Sequence, residues 1–356
     1  MAVDPGIEVL GIEQRAAWLA RRPPPVEKLP GGLWSVPVPI PDNPLRYTLS
    51  YLVPADDGLV VVDPGWDTDE GWTALLGGLA TAGASTADVA GIVTTHVHPD
   101  HHGLSGRLRA ESGAWIGMHP AERDTLPQRR RDEHGDTRTE ITTWLRGCGA
   151  PEAEIADLLG TLERAPRPAG ELPEPDVLLE DGDLVPVRGR RLRAVWTPGH
   201  TPGHLCLQEP DAQLLLTGDH VLPRITPAIG SWPGAAEPPL GQFLRSLERT
   251  ATFDDHDALP AHEYRFRGLA RRSEGLREHH ERRCAEILAV VGEHGRPTPW
   301  EIATRLTWSR PWPEIGYMRL SAVAETVAHI EYLADRGRLA WPGYGASPAR
   351  VTRTDS

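Results

Sequence analysis

The strongest constraint on this chain is a series of short apolar runs that each end in a chemically active residue. Directly after the apolar stretch GIV, residues 94–103 read TTHVHPDHHG, which places four imidazoles and one carboxylate within ten residues. Further along, VWTPGH brings His200, LLLTGD brings Asp219 and ALPAHE brings His262, each after its own apolar run and a turn. LVVVD ends on Asp63 in the same way. Short apolar runs bounded by turn residues read as buried strands. Strand C-termini are where α/β folds gather ligands. A fold that satisfies the pattern must bring several strand ends to one edge.

Nine runs read as strands: LWSVPVPI, YTLSYLVP, LVVVD, GIVTTH, AWIGMH, LRAVWTP, LCLQ, LLLTGD and HDALPAH. Helical patterns such as TDEGWTALLGGLATAG and LSGRLRAESG alternate with them up to about residue 262, so the fold class is α/β. From about 121 to 171 the strand signal stops. AERDTLPQRRRDEH, TRTEITTWLRGCG and EAEIADLLGTLERA look helical, which predicts a helical insertion. The run Arg129–Arg131 inside it reads as a solvated helix face.

After Tyr264 the character changes. LREHHERRCAEILAVVGEHG predicts a helix. TPWEIATRLTW carries Thr298 and Glu301 at capping-box spacing. In SAVAETVAHIEYLADRG, Val323, Val327, Ile330 and Leu333 share a stripe, with Ser321 placed to cap the start and Gly337 the end. GRLAWPG then reads as a short strand. The expected organisation is a domain over 1–268 that includes the insertion, and a small winged-helix-like domain over 269–356.

Composition narrows the function classes. The net charge of -13 argues against general coating of nucleic acid or an anionic membrane. Three cysteines, none in a CxxC pair, make a disulfide framework or a Cys-rich metal site unexpected. No stretch approaches the roughly 18 apolar residues of a membrane span. The start of the sequence lacks a signal-peptide core. The expected setting is reducing and cytoplasmic, with no membrane partner.

The residue types in TTHVHPDHHG suit metal chemistry. His96 and His98 fall on the same side of an extended chain. Asp100 and His101 follow at the turn into a helix. One imidazole pair beside one carboxylate–imidazole pair suits two borderline-soft ions side by side. Asp219, with two oxygens, is the natural bridge. The N/O donor set favours zinc, with iron and manganese as alternatives. Two ions sharing a water would make a metal-bridging hydroxide the nucleophile, aimed by Asp100. His102 reads as a helix-start residue outside the ligand set.

The five motifs, in order, resemble those of the metallo-β-lactamase superfamily of metallohydrolases over about residues 30 to 265. The resemblance implies an αβ/βα sandwich with the metals at one edge. It gives His96, His98 and His200 to one ion and Asp100, His101 and His262 to the other, with Asp219 bridging. It makes Asp63 and His204 supports of the ligands rather than ligands.

β-Lactamases of the common type carry Cys where Asp219 stands. The nucleic-acid-processing branch inserts a large domain where only about 43 residues separate Asp219 from His262. The segments TGDHVLPRITPAI, LPAHE and GLREHHERRCAEIL resemble the subgroup with a C-terminal β-lactamase-associated winged helix. That subgroup contains acyl-thioester hydrolases and also ribonucleases.

The expected function is therefore metal-dependent hydrolysis of a small-molecule or carrier-bound acyl (thio)ester. Endoribonuclease or phosphodiesterase activity and a lactonase or glyoxalase II-like activity are the alternatives. The basic cluster Arg265, Arg267, Arg271, Arg272, Arg277, Arg282 and Arg283 supports the nuclease alternative, although Glu274, Glu278 and Glu281 interleave with it. His220, Trp232 and Tyr264 are candidate substrate contacts, and Trp115 and Trp144 read as core packing or pocket wall. The predicted helix near 321–336 carries Glu325, Glu331 and Asp335, which would repel phosphate. A packing or homodimer role suits it better than DNA binding.

Overall fold

The computed structural model describes residues 6–126, 136–164, 172–232, 237–343 and 348–354. The Arg129–Arg131 run lies outside the described residues.

The chain opens on strand β1 (Glu8–Val9) and helix α1 (Ile12–Leu19). A seven-stranded sheet then forms in chain order from β2 (Glu27–Lys28), β3 (Trp34–Pro39), β4 (Tyr47–Ala55), β5 (Gly58–Val62), β6 (Val89–Val93), β7 (Trp115–Met118) and β8 (Val177–Leu178). It is antiparallel from β2 to β5 and parallel from β5 to β8. A six-stranded sheet contains β9 (Arg193–Trp196), β10 (Leu205–Glu209), β11 (Leu214–Gly218), β12 (Asp257–Pro260) and β13 (Phe266–Arg267), with β1 at its edge. In it β11 and β12 run parallel and the other pairs antiparallel.

Side-chain alternation explains why these runs are apolar throughout. Successive strand residues face opposite sides of a sheet, and both sides of the larger sheet are covered. Tyr47, Leu49, Tyr51 and Val53 of β4, with Val60 and Val62 of β5, meet Ala194, Leu205, Leu207, Leu214, Leu216 and Leu259 of the second sheet. From the other face, Val36, Val38, Val61 and Ile92 meet Leu75, Leu79, Leu104 and Leu108. Those leucines come from α2 (Asp69–Thr81) and from Leu104 and α4 (Ser105–Ser112), which follows the short helix α3 (Pro99–His102). The result is an αβ/βα sandwich.

All nine runs read from the sequence form strands. The two-residue strands β1, β2, β8 and β13, helix α1 and the helix Pro239–Thr250 escape that reading. The helix Arg319–Asp335 begins before Ser321, with Met318 at its N-cap, so Ser321 does not cap it. The capping box at Thr298 and Glu301 is formed. Cys148, Cys206 and Cys284 are free and buried. Among the described residues, no helix is long and apolar enough to cross a membrane.

The described residues group into two compact units. One lies within 1–130, 166–227 and 246–274, and the other within 131–165, 228–245 and 275–356. A single boundary near 268 therefore does not describe the grouping, and packing explains why. The insertion helices Asp136–Gly147 and Glu152–Arg164 place Trp144, Leu145, Ile155, Leu158 and Leu159 in one core with Trp300, Ala303, Leu320, Val323, Ala324 and Val327. Trp300 N–H donates to the Cys148 carbonyl at 2.9 Å, and Arg319 pairs with Glu154 and Asp157. The C-terminal part also carries the helices Leu269–His294 and Pro299–Ala303 and a ladder of Leu339–Ala340 with Thr352–Arg353.

Leu158 is fully enclosed in this core. Leu158→Ala should destabilise the second unit by about 2–5 kcal/mol in a urea titration, as buried Leu→Ala changes do. An unchanged unfolding profile would mean that the insertion helix is not part of that core.

Candidate metal centre

Five loops deliver the polar residues, and the sheet topology explains their convergence. Asp63 follows β5, and the segment His96–His101 follows its parallel neighbour β6. Asp219 and His262 follow the parallel pair β11 and β12, so both leave the sheet at one edge. His200 sits in the turn between antiparallel β9 and β10.

Three groups of donor atoms result, each with its members within 4.8 Å of one another: His96, His98 and His200; His96, His101 and Asp219; and Asp100, His101 and His262. Nε2 of His96 lies 2.8 Å from Nδ1 of His98, which is 3.1 Å from Nε2 of His200. On the other side, Nε2 of His262 lies 3.4 Å from Oδ2 of Asp100 and 3.2 Å from Oδ1 of Asp219. Nε2 of His101 is 3.6 Å from the same Asp219 oxygen. The second oxygen of Asp219 turns to His200, 3.7 Å away.

The far nitrogens are fixed by partners. Thr95 Oγ1 donates to Asp63 Oδ2 at 2.8 Å, so it accepts from His96 Nδ1 at 3.0 Å. Asp63 also accepts from Thr95 N–H at 2.7 Å and from His101 Nδ1 at 2.8 Å. His262 Nδ1 donates to the Tyr47 carbonyl at 2.9 Å. Each of these bonds turns an Nε2 lone pair inward, the usual way of orienting an imidazole for a metal. His204 Nε2 accepts from the Asp219 N–H at 3.1 Å, and its Nδ1 meets Thr197 Oγ1 at 2.8 Å. Gly218 lets this happen: its φ is +49°, and a Cβ there would lie 2.7 Å from His204 Nε2. Asp63 itself holds φ +52° without being glycine, strain of a kind that gathers at functional sites.

A cation fits this arrangement. His101 Nε2, His262 Nε2 and Asp219 Oδ1 are buried with no hydrogen-bond partner, although such atoms are costly to leave unmade. Charge balance points the same way. Burial alone would raise Asp100, but His101 and His262 bring its carboxyl down to about 2. Burial likewise opposes ionisation of Asp219, and His262 and His101 hold it well below the usual carboxylate range. Burial depresses His96, reinforced by His101, His98 and His200. His262 rises to about 10, because Asp219 and Asp100 outweigh its burial. The side of the pocket around Asp100 and Asp219 thus stabilises positive charge, whereas burial and the neighbouring imidazoles disfavour a proton on His96.

The other histidines divide clearly. His102 binds Thr94, Ser105 and the Pro173 carbonyl, outside the donor groups. His220 is fully buried with Nε2 2.8 Å from Thr250 Oγ1, and burial lowers it to about 3. Tyr264 is likewise fully buried. Both are as enclosed as His96, His101 and His262. Trp232 belongs to the second unit and packs 5.1 Å from Trp144. Trp115 packs against the core between the sheets.

The sequence reading missed Thr95, Thr197, the Tyr47 carbonyl and Glu122. The last accepts from Val97 N–H at 2.9 Å and Gly203 N–H at 2.7 Å.

The sequence profile of the "Metallo-beta-lactamase superfamily" matches residues 43–262. A metallo-beta-lactamase family protein of Thermus thermophilus is 31% identical, with a TM-score of 0.74 over 91% of this chain and 99% of its own. A beta-lactamase domain protein from Burkholderia ambifaria shares the fold, with a TM-score of 0.73 at 22% identity over 99% of this chain and 100% of its own. Among curated relatives, the acyl-coenzyme A thioesterase MBLAC2 of Homo sapiens is 31% identical over 129 residues, 36% of this chain and 40% of that protein. The match thus spans well under half of the human protein's length. With its profile match, its fold and its ordered His and Asp residues, this chain belongs to the metallo-beta-lactamase superfamily, whose members are in general metal-dependent hydrolases.

Proposed function

We propose that the protein is a dinuclear metal-dependent hydrolase of acyl thioesters, with zinc as its resident metal and iron or manganese as chemically compatible alternatives. The observation that carries the two-ion reading is Asp219, whose oxygens turn to two different histidine groups. In this reading His96, His98 and His200 hold one ion, Asp100, His101 and His262 hold the other, and Asp219 bridges. Ions held there would supply a water acidified towards neutrality and positive charge for a developing oxyanion.

The chain's own residues do the rest. Asp63 and the Tyr47 carbonyl keep His101 and His262 in the tautomer that ligates. Asp100, with its side chain 12% exposed, is placed to accept a hydrogen bond from the attacking water and aim it. His96, His101 and His262 are fully enclosed, whereas His98 is half-buried and the side chains of Asp100, Asp219 and His200 are 12%, 10% and 7% exposed. In this reading the acyl carbonyl approaches where these four residues reach the surface.

The thioester preference rests on the name of the human relative and on chemistry. A thiol has a pKa of about 8.5, so a thiolate departs with little help from an acid. The substrate class is a small-molecule or carrier-bound acyl group, and a cytoplasmic setting and a homodimer complete the proposal. The C-terminal helices and short ladder read as a winged-helix-like unit with a packing role.

Most arginines of the basic cluster are paired within the chain, which favours the acyl reading over the nuclease alternative. Arg265 pairs with Glu27, Arg267 with Asp257, Arg277 with Glu281, Arg282 with Glu278, and Arg283 with Glu286. Arg272 donates to the Leu222 and Ile225 carbonyls.

Metal analysis of the purified protein should find about two divalent ions per chain. Asp219→Ala should lose metal and lower kcat/KM by more than about 100-fold, beyond the 10–100-fold that loss of a mere supporting partner costs. Full activity in that variant would sink the two-ion mechanism. Across acyl-CoA, lactone, phosphodiester and RNA substrates, hydrolysis should be fastest with acyl-CoA, and turnover confined to phosphodiesters would overturn the thioesterase reading. Asp63→Asn should weaken metal binding by about 10–100-fold by releasing the His101 tautomer, as measured by chelator competition.

A further inference from the structure

Glu122 is a fully buried carboxylate that touches no donor atom of the metal centre. It lies in the short helix α5 (Pro120–Arg123), whose N-cap His119 accepts from Ala121 N–H through Nδ1 at 3.1 Å. Its two oxygens go to two different loops. Oε2 accepts from the N–H of Val97, the residue between His96 and His98, at 2.9 Å. Oε1 accepts from the N–H of Gly203, three residues after His200, at 2.7 Å. His96, His98 and His200 are the three members of one donor group. They come from opposite sheets, because one loop follows β6 and the other joins β9 to β10. A single carboxylate thus clamps the two loops that must converge.

The chain makes room for this clamp. A Cβ on Gly203 would fall 2.6 Å from Glu122 N, 2.9 Å from its Cγ and 2.9 Å from His119 Nδ1. No side chain other than hydrogen fits there unless α5 moves. A carboxyl group also suits the position, because its two oxygens can accept from two separate backbone N–H groups.

We infer that Glu122 is a positioning residue that sets the spacing of His96, His98 and His200 and thereby the affinity of their metal position. This inference rests on the metal reading of the site. A supporting partner of this kind is worth about 10–100-fold in metal affinity.

The test is competition of zinc and cobalt(II) against a chromophoric chelator, with the cobalt absorption spectrum recorded alongside. Wild-type protein, Glu122→Ala, Glu122→Gln and Gly203→Ala are compared. Glu122→Ala should weaken one of the two binding steps by about 10–100-fold and alter the cobalt spectrum, while the other step keeps its affinity. Glu122→Gln retains one oxygen acceptor and should fall between Glu122→Ala and wild type. Gly203→Ala, which displaces the carboxylate without removing it, should repeat the effect and provides the measurement if Glu122→Ala does not fold.

Wild-type affinity at both steps in the variants that fold would overturn the proposal while leaving the metallohydrolase reading intact. So would a lowered melting temperature with unchanged affinities and spectrum, the signature of a residue that only stabilises the fold. A wild-type protein that binds no metal would overturn both readings.

Discussion

A carboxyl group buried inside an apolar sandwich must be surrounded by donors or positive charge, and this condition governs the architecture. An unpaired buried charge is too costly to persist. Asp63, Glu122 and Asp219 are all nearly or fully enclosed. Asp63 is covered by Thr95 and His101, and Glu122 by the amides of Val97 and Gly203. Asp219 has imidazoles on both sides and still leaves one oxygen without a hydrogen bond. The first two carboxylates are structural solutions complete in themselves. The third faces only the imidazoles of the donor groups, and that difference separates scaffold from site.

What could be read from the sequence follows from what leaves a pattern there. Strands buried on both faces leave unbroken apolar runs, and the residue that ends each run stands out because its chemistry changes abruptly. Thr95, Thr197 and Glu122 leave no such mark. They act on backbone amides or on the second nitrogen of a ring, and only three-dimensional proximity reveals those partners. His220 and Tyr264 show the limit of adjacency: each stands within two residues of Asp219 or His262 and is fully enclosed, but position in the chain does not fix the direction of a side chain. The two-residue strands and α1 are too short to show a period.

The insertion illustrates a different limit. Its helices could be recognised from their 3.6-residue periodicity, but periodicity shows only that a helix has an apolar face. It does not say what covers that face. Trp144, Ile155 and Leu158 find their cover among residues about 150 positions later, in the core containing Trp300, Val323 and Val327. A sequence scanned for boundaries naturally assigns the insertion to the domain that encloses it in the chain. Burial of apolar surface, which is indifferent to chain order, assigns it to the other unit.

Enclosure of the donor groups is uneven, and the asymmetry bears on chemistry. His96, His101 and His262 are sealed behind the sheets, and their orientation is set by Thr95, Asp63 and the Tyr47 carbonyl. His98 and His200 are less enclosed as residues and lie in loops. Rigidity there has to come from the loops themselves. The 200–203 turn is held from two directions: Trp196 Nε1 donates to the Pro202 carbonyl at 2.9 Å, and Glu122 accepts from Gly203. His119, which caps the Glu122 helix, stacks on the Trp196 ring at 5.0 Å with an interplanar angle of 5°. Both restraints on the turn therefore lead to one stacked pair beside it. The loop that carries His200 is thus braced by side chains, much as Thr95, Asp63 and the Tyr47 carbonyl brace the enclosed histidines.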